Sequence, residues 1–288
     1  MVMKSKGFKV RDTFCVRADV DSLTGLRKGI PKLLGLAERM QVKASVYSIV
    51  GWEGDFYSVL KHRLLGKKRF SMPHANGIFK PSSPEIARML FFPTPFYKQK
   101  EFKEIAERGH ELGVHGFVHA RWNNLSGIDA EREFGQMIAG FEGVFGKRPE
   151  SFSAPLEAES REIARLVEKS GFECRSYAGE KVFLQKLENK GKGVVMVPIT
   201  ISESKTCQPI IEQLLSEGRT KRQAAEFLKK KIEEKIEKKQ LASFYIHPEV
   251  EALHAFEVLE DVFRHVKELG LKTKTSLEIA RKFKKKSN

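Results

Sequence analysis

TFCVRADVD, residues 13–21, decides the fold, because it joins a short β-rich run to two carboxylates at its end. A segment with helical apolar spacing follows at 27–40, and a second β-rich run ends in glycine at 43–51. The alternation continues, with further strands predicted at 112–115, 151–154, 172–177, 193–201, 241–247 and 271–274, and helices at 101–109, 129–145, 158–170, 208–239 and 250–269. It predicts a parallel α/β architecture, either a barrel or a doubly wound sheet.

The positions of the reactive side chains separate these two architectures. Polar residues follow three strands that lie far apart in sequence, in RADVD (17–21), VHGFVH (114–119) and YIHPE (245–249). A (β/α) barrel gathers such residues at the carboxyl ends of its strands. A doubly wound sheet concentrates its site at one switch point, and no GxGxxG opens a helix in this chain. We therefore predict a barrel.

The composition is that of a soluble globular protein with a large basic excess. Lysine and arginine total 52 against 37 acids, giving a net charge of +15. This excess suits an anionic partner, or it reflects a solvated, lysine-rich surface; it is concentrated at 61–70, 229–239 and 281–286. The chain has no apolar run near the roughly 20 residues of a membrane span and no secretory signal pattern, so a cytoplasmic location is expected. Three cysteines without a CxxC pair predict reduced thiols.

Residues 52–100 interrupt the strand–helix rhythm. Nearly fifty residues are too many for one α/β connection, which predicts a lid or a docking element inserted before the third strand. The segment mixes aromatic and basic residues, a combination that suits an anionic membrane surface or a phosphate-bearing lipid substrate. A packed lid whose aromatic residues form a satellite core is the alternative.

The carboxylates of Asp19 and Asp21 should point the same way, because side chains alternate with a period of two along a strand. Like charges held this close are costly unless a cation or protons lie between them. Taken alone, however, two aspartates after a strand favour a cap on the following helix.

His115 and His119 are four residues apart, so on one helical turn they would face the same side. An HxxxH match alone is weak, but two histidines with an aspartate from another strand end form the open, three-ligand arrangement of catalytic metal sites. His247 ends a late strand and is a candidate general acid, or a helix-capping residue. His110 is expected at the surface, and we expect structural roles for His74, His254 and His265.

The order and spacing of three stretches, 17–34, 111–122 and 245–252, resemble the polysaccharide deacetylase family of metal-dependent de-N-acylases. This family is also known by its NodB homology and as carbohydrate esterases. The resemblance is strongest to its lipid-linked 4-formamido-arabinose deformylase-like members. It implies one irregular (β/α)7-type barrel domain over residues 1–288, with the insertion before the third strand.

The resemblance also implies residue roles. Asp19 would be the general base, Asp21 a ligand of one divalent transition metal with His115 and His119, and His247 the general acid. Because Val20 separates the aspartates, which are adjacent in the usual family motif, their roles could be exchanged. Zinc is the first expectation for the metal, before iron, manganese, cobalt or nickel. The residues expected to contact substrate or to support these groups are Arg17, Trp122, Pro155, Glu249 and Glu251.

Two departures from the family pattern bear on activity. The third family motif usually offers an arginine, a proline and an aromatic residue, whereas the matching stretch here is Ser153–Leu156. Arg17 is a candidate substitute for that arginine. An aspartate expected after the fifth strand has no match in Cys174–Tyr177.

The expected function is hydrolysis of an N-acetyl or N-formyl group from an amino sugar, including undecaprenyl-phosphate-like lipid-linked sugars. A peripheral position on the inner face of the membrane would suit such a substrate. The alternative is a barrel that has lost turnover and binds a glycan, a lipid phosphate or nucleic acid. Nucleic acid is the least favoured partner, because the chain lacks RNA-binding, helix-turn-helix and zinc-finger signatures.

Overall fold

The computed structural model describes residues 2–3, 10–53, 87, 94–158, 160–187, 191–202 and 208–287. Its strands are β1 Val2–Met3, β2 Thr13–Val20, β3 Ala44–Ser48, β4 Glu111–Val114, β5 Ser151–Ser153, β6 Cys174–Ala178, β7 Phe183–Gln185, β8 Val194–Ile199, β9 Ala242–Ile246 and β10 Lys272–Thr273. Its α-helices are α1 Ile30–Met40, α2 Lys100–Glu107, α3 Gly127–Phe145, α4 Arg161–Lys169, α5 Ile210–Ser216, α6 Lys221–Glu237, α7 Glu251–His254, α8 Phe256–Glu268 and α9 Ser276–Ser287. Shorter turns of helix span Gly25–Gly29, Phe96–Lys98, His119–Asn124 and Pro155–Glu157.

Seven parallel strands form the barrel, in the order β8-β6-β5-β4-β3-β2-β9. No strand ladder joins β8 to β9 in the described part of the chain, so the sheet stays open at this seam. Two hydrogen bonds nevertheless cross this seam: the amides of Thr200 and Ile201 donate to the Ser243 carbonyl at 3.1 and 2.8 Å. The prediction of a (β/α)7-type barrel is therefore confirmed. β1 and β7 extend the sheet beyond β8 as antiparallel strands that the sequence pattern did not predict.

The end of the barrel at which the strands begin is filled by apolar side chains. Cys15 on β2 belongs to one buried cluster with Cys174 on β6 and Val195 on β8, although β2 is a sheet neighbour of neither strand. Phe283 of α9 enters the same cluster and closes this end of the barrel. Cys15 and Cys174 are buried free thiols, as predicted.

Several sequence predictions need correction. The single helix predicted over 208–239 is two helices, because Gly218 adopts a φ of +85° and Thr220 begins α6 with a capping box to Gln223. The helix predicted over 250–269 is likewise divided, at Ala255. The basic tail 281–286 lies within α9, a helix that was not predicted.

His110, expected at the surface, is 8% exposed. Its Nδ1 accepts a hydrogen bond from the Ala44 amide at 3.2 Å, because the residue directly precedes β4 and lies beside the start of β3.

Most of the insertion lies outside the described residues, namely 54–86 and 88–93. The basic cluster 61–70 and His74 lie in this undescribed part, so the lid or docking element stays a prediction. Cys207, in another part of the chain, is also outside the described residues. The two ends of the insertion meet, because Trp52 and Pro95 form an antiparallel bridge. Among the described helices, none combines the length and apolarity needed to cross a bilayer.

Gly113 shows how tightly the barrel packs below the strand ends. A Cβ at this position would lie 2.5 Å from Tyr47 Cε1 and 2.6 Å from Ser151 Oγ. We expect Gly113→Ala to lower the free energy of unfolding by about 1–3 kcal/mol, because adding a methyl group to a filled core forces its neighbours to move. Chemical denaturation would measure this loss.

Gly135→Ala is the matched control. Gly135 is exposed within α3, and a Cβ there meets nothing within 4 Å, so the substitution should raise stability by about 0.5–1 kcal/mol. An equal response of the two variants would contradict the packing that we describe at Gly113.

Candidate active site

The candidate site lies where the parallel strands of the barrel end. Asp19 is near the end of β2 and Asp21 directly follows it, His115 directly follows β4, and His247 directly follows β9. All four side chains are buried or nearly so. Parallel strands present their carboxyl ends at one edge, which brings residues from distant parts of the sequence together.

The Asp21 carboxylate is the centre of this cluster. Its Oδ1 lies 3.5 Å from His115 Nε2, and its Oδ2 lies 3.3 Å from His119 Nε2. The ligand atoms of these three residues all lie within 4.8 Å of one another. His247 approaches from β9, with its Nε2 3.7 Å from Asp21 Oδ2. Asp21, and not Asp19, is therefore the aspartate that faces both histidines.

The two histidines do not share a helical turn, contrary to our expectation. Residues 116–118 have no regular structure, Gly116 has a φ of +90°, and His119 begins a short 3-10 segment. The rings still converge, with centroids 5.7 Å apart. The loop between the histidines produces the convergence that a helix would have given.

His115 is prepared to offer a lone pair at Nε2. Its Nδ1 lies 3.0 Å from the Ser153 carbonyl oxygen, so Nδ1 carries the hydrogen and donates it. Burial lowers the pKa of His115 to about 4, although the Asp21 charge opposes the fall. The ring is therefore neutral near pH 7, the form that binds metals. Two imidazole nitrogens and a carboxylate oxygen at this separation fit a divalent transition metal.

Asp19 is held differently from Asp21. Arg17 donates to its Oδ2 from Nε at 3.0 Å and from Nη2 at 2.6 Å. Its buried Oδ1 has no hydrogen-bond partner within the residues described. Burial raises the pKa of Asp19, while the charge and hydrogen bonds of Arg17 oppose the rise. One oxygen is thus fixed and the other remains available to accept a proton.

Arg17 is itself almost completely buried, and several groups surround its guanidinium. Nη2 also pairs with Glu157 Oε1, Nη1 donates to Ser176 Oγ at 3.3 Å, and the guanidinium lies 4.7 Å from the centre of the Tyr245 ring. Arg17 thus contacts the Asp19 carboxylate directly. Such a contact is needed if Arg17 replaces the missing family arginine, which stays a prediction.

Glu157 is the residue of this cluster that our sequence reasoning missed. It follows the stretch matched to the third family motif, at the end of β5, and was not considered because the match stopped at Leu156. Both residues have positive φ, 59° for Leu156 and 49° for Glu157, an uncommon backbone for these residue types. The Glu157 carboxylate also accepts the Ala178 amide at 3.0 Å, so it is fixed on both sides. The available signal was an acid in the short turn that follows a strand, close to the strand's carboxyl end.

The other predicted residues surround the site in supporting positions. Trp122 is 3% exposed and packs against the Phe134 and Phe152 rings. Pro155 lies against Gly116, on the loop between the metal-site histidines. These two residues therefore shape that loop.

Glu249 and Glu251 follow His247 and are buried. The charge of Glu249 acts on Asp19 and raises its pKa. Glu251 Oε2 accepts the His247 backbone amide at 2.8 Å, so it fixes the position of His247 in the chain.

Comparison with known proteins agrees with this geometry. The sequence profile of the polysaccharide deacetylase family matches residues 20–174, and the chain belongs to this family of hydrolases. A curated relative, the probable 4-deoxy-4-formamido-L-arabinose-phosphoundecaprenol deformylase ArnD of Shewanella sediminis, is 23% identical over 280 residues, which cover 92% of this chain and 84% of that protein.

Solved structures share the fold at low identity. A provisionally named polysaccharide deacetylase of Mycobacterium smegmatis superposes with a TM-score of 0.66 at 14% identity, covering 99% of this chain and 93% of that one. BA3943 of Bacillus anthracis, a CE4 family pseudoenzyme, superposes with a TM-score of 0.51 at 10% identity, covering 95% and 66% of the two chains. Because an inactive protein has this fold, activity must be argued from the site.

The buried Arg17 cluster makes a stability prediction. Arg17→Met would leave the buried carboxylate of Asp19 and the partly buried one of Glu157 without their cation, so we expect a loss of about 3–5 kcal/mol in the free energy of unfolding. Arg39→Met is the control, since Arg39 is 57% exposed and its partner Glu260 lies 3.5 Å away. That change should cost no more than about 1 kcal/mol. Equal losses in chemical denaturation would contradict the role given to Arg17.

Proposed function

We propose that the protein is a metal-dependent hydrolase that removes an N-formyl or N-acetyl group from an amino sugar. One observation carries the proposal: the Asp21 carboxylate lies 3.5 and 3.3 Å from His115 and His119, beside Asp19, whose Oδ1 has no hydrogen-bond partner among the described residues. A ligand set next to an available base is what hydrolysis of an amide requires.

In this proposal Asp21, His115 and His119 hold one divalent transition metal, with zinc the first expectation. Such an ion, when bound, supplies a Lewis acid that acidifies water and polarises the acyl carbonyl. The protein contributes the geometry. Ser153 fixes the His115 ring through its 3.0 Å contact with Nδ1, which leaves Nε2 directed at the Asp21 carboxylate.

Asp19 acts as the general base. Its Oδ1 accepts a proton from the attacking water while the water oxygen bonds to the acyl carbon. Arg17 holds the other oxygen, Oδ2, from two nitrogens, so the carboxylate cannot rotate away. Glu157 holds Arg17 in turn. This arrangement supports Arg17 as the substitute for the arginine that the family places in its third motif.

His247 acts as the general acid. Its Nε2 gives a proton to the amide nitrogen as the carbon–nitrogen bond breaks, so the products are a free amine and formic or acetic acid. An amine leaves poorly as an anion, which makes this proton transfer necessary. The contact between Glu251 and the His247 amide supports this role, because it fixes the histidine near Asp21.

We propose a lipid-linked sugar phosphate as the substrate class. The name of the Shewanella relative, the net charge of +15 and the mixture of aromatic and basic residues in 52–100 support this choice. Peripheral contact of the protein with an anionic membrane belongs to the same proposal. Turnover of an undecaprenyl-phosphate-linked formamido sugar, compared with a soluble N-formyl or N-acetyl hexosamine, tests the substrate class directly.

Metal content tests the proposed site. Elemental analysis of the wild-type protein should find about one equivalent of a transition metal, and Asp21→Ala, His115→Ala and His119→Ala should each lose it, since each removes one of three ligands. Asp19→Asn is the control, because the Asp19 carboxylate faces Arg17 and not the histidines, and it should keep the metal. A wild-type protein that binds no metal after reconstitution would overturn the proposal.

Activity of the metal-loaded protein tests the roles of Asp19 and His247. Asp19→Asn and His247→Gln should each lower kcat by about 10²–10⁴-fold, the usual contribution of a general base or acid, with metal content unchanged. Loss of metal in His247→Gln would make His247 a ligand and contradict its role as the acid. A metal-loaded wild-type protein that is inert towards every N-acyl sugar would favour the alternative of a binding protein.

A further inference from the structure

The loop between His115 and His119 has no secondary structure to fix its shape. Its outer side is held by the chain that follows β3, because the Val50 and Gly51 amides donate to the Gly116 and Phe117 carbonyls at 3.0 and 2.9 Å. The amides of Phe117 and Val118 point the other way. Whatever binds these two amides decides where the second histidine lies relative to the first.

A buried glutamate from a different element binds both amides. Glu133 lies on α3 and is 2% exposed. Its Oε1 accepts the Phe117 amide at 2.8 Å and the Val118 amide at 2.6 Å.

The same carboxylate also holds the far side of the loop. Oε1 accepts a third hydrogen bond, from Trp122 Nε1 at 3.2 Å, and Oε2 lies 3.5 Å from Arg121 Nη1. One carboxylate therefore fixes the chain on both sides of His119. A carboxylate satisfies several converging donors better than a neutral group, because charge-assisted hydrogen bonds are shorter and stronger.

We infer that Glu133 is a positioning residue for the proposed metal site: it shapes the 116–122 loop so that His119 meets Asp21 and His115. The inference rests on the proposed function, because it concerns the same three ligands. None of the Glu133 contacts named above reaches the side chain of Asp21, His115 or His119. Its contacts are with the backbone of the loop, the Trp122 indole and the Arg121 guanidinium.

The experiment compares the affinity of Zn²⁺ for the wild-type protein and for Glu133→Gln, by competition with a chromophoric chelator. Glutamine keeps one acceptor oxygen and the size of the side chain but removes the charge that the three donors share. We expect the Kd for Zn²⁺ to rise about 10–100-fold, the usual effect of losing a group that orients metal ligands. Amide hydrogen exchange should also accelerate at Phe117 and Val118 in the metal-free variant.

Glu111→Gln is the matched control. Like Glu133, Glu111 is a buried glutamate whose carboxylate accepts hydrogen bonds from both backbone and side chain. Its donors are the Leu277 amide at 3.0 Å and the Tyr47 hydroxyl at 3.1 Å. It starts β4, at the opposite end of the strand that leads to His115. A merely structural role for Glu133 predicts similar losses of thermal stability in both variants and an unchanged Kd in both.

The outcomes separate the inference from the proposal beneath it. A wild-type protein that binds Zn²⁺ tightly together with a Glu133→Gln Kd within twofold of it would overturn the inference alone. A wild-type protein that does not bind Zn²⁺ would overturn the proposed function and the inference with it. If Glu133→Gln does not fold, Glu133→Asp replaces it, because aspartate keeps the charge but withdraws the oxygen from the loop, and the same rise in Kd is expected.

Discussion

The candidate site, at the end of the barrel where the parallel strands finish, depends on the ion pairs of the buried Arg17. Removing the Arg17 guanidinium and the Asp19 carboxylate from water is costly, and hydrogen bonds from the guanidinium to its partners offset that cost. Arg17 contacts Asp19, Glu157 and Ser176, which come from three different segments of the chain. The cluster therefore ties β2 to the chain after β5 and to β6, and it fixes the orientation of the Asp19 carboxylate at the same time.

The side chains of β2 and of the residue after it change along the chain from an apolar thiol to charged groups. Cys15, Arg17, Asp19 and Asp21 alternate along the chain, so strand geometry directs them to the same side. Cys15 lies in the apolar cluster that α9 closes, where burial raises its pKa to about 12 and keeps the thiol neutral. The two aspartates differ because their neighbours differ: Asp19 faces a guanidinium, whereas Asp21 faces two imidazoles.

Three loops at the strand ends are held by buried glutamates. Glu53 and Glu133 come from other segments of the chain, whereas Glu251 lies four residues after the histidine that it holds. Glu53 accepts the Leu23 amide at 2.6 Å, Glu133 accepts the amides on the 116–118 loop, and Glu251 accepts the His247 amide at 2.8 Å. Backbone N–H groups beyond a strand end have no ladder partner, so a buried loop needs acceptors from elsewhere. In this protein the loops that carry the candidate catalytic groups obtain them from carboxylates, which are stronger acceptors than carbonyls.

The sequence by itself determined the class of fold and the candidate reactive groups, because both depend on local spacing. Alternation of strands and helices predicts the barrel, and polar residues at strand ends identify Asp21, His115, His119 and His247. Local spacing could not determine which aspartate faces the histidines, since both point to the same side of β2. It also missed Glu133 and Glu157, because their partners lie 15 and 140 residues away along the chain. Contacts of that kind exist only after the strands are assembled, so the tertiary structure alone decided how each reactive side chain is held.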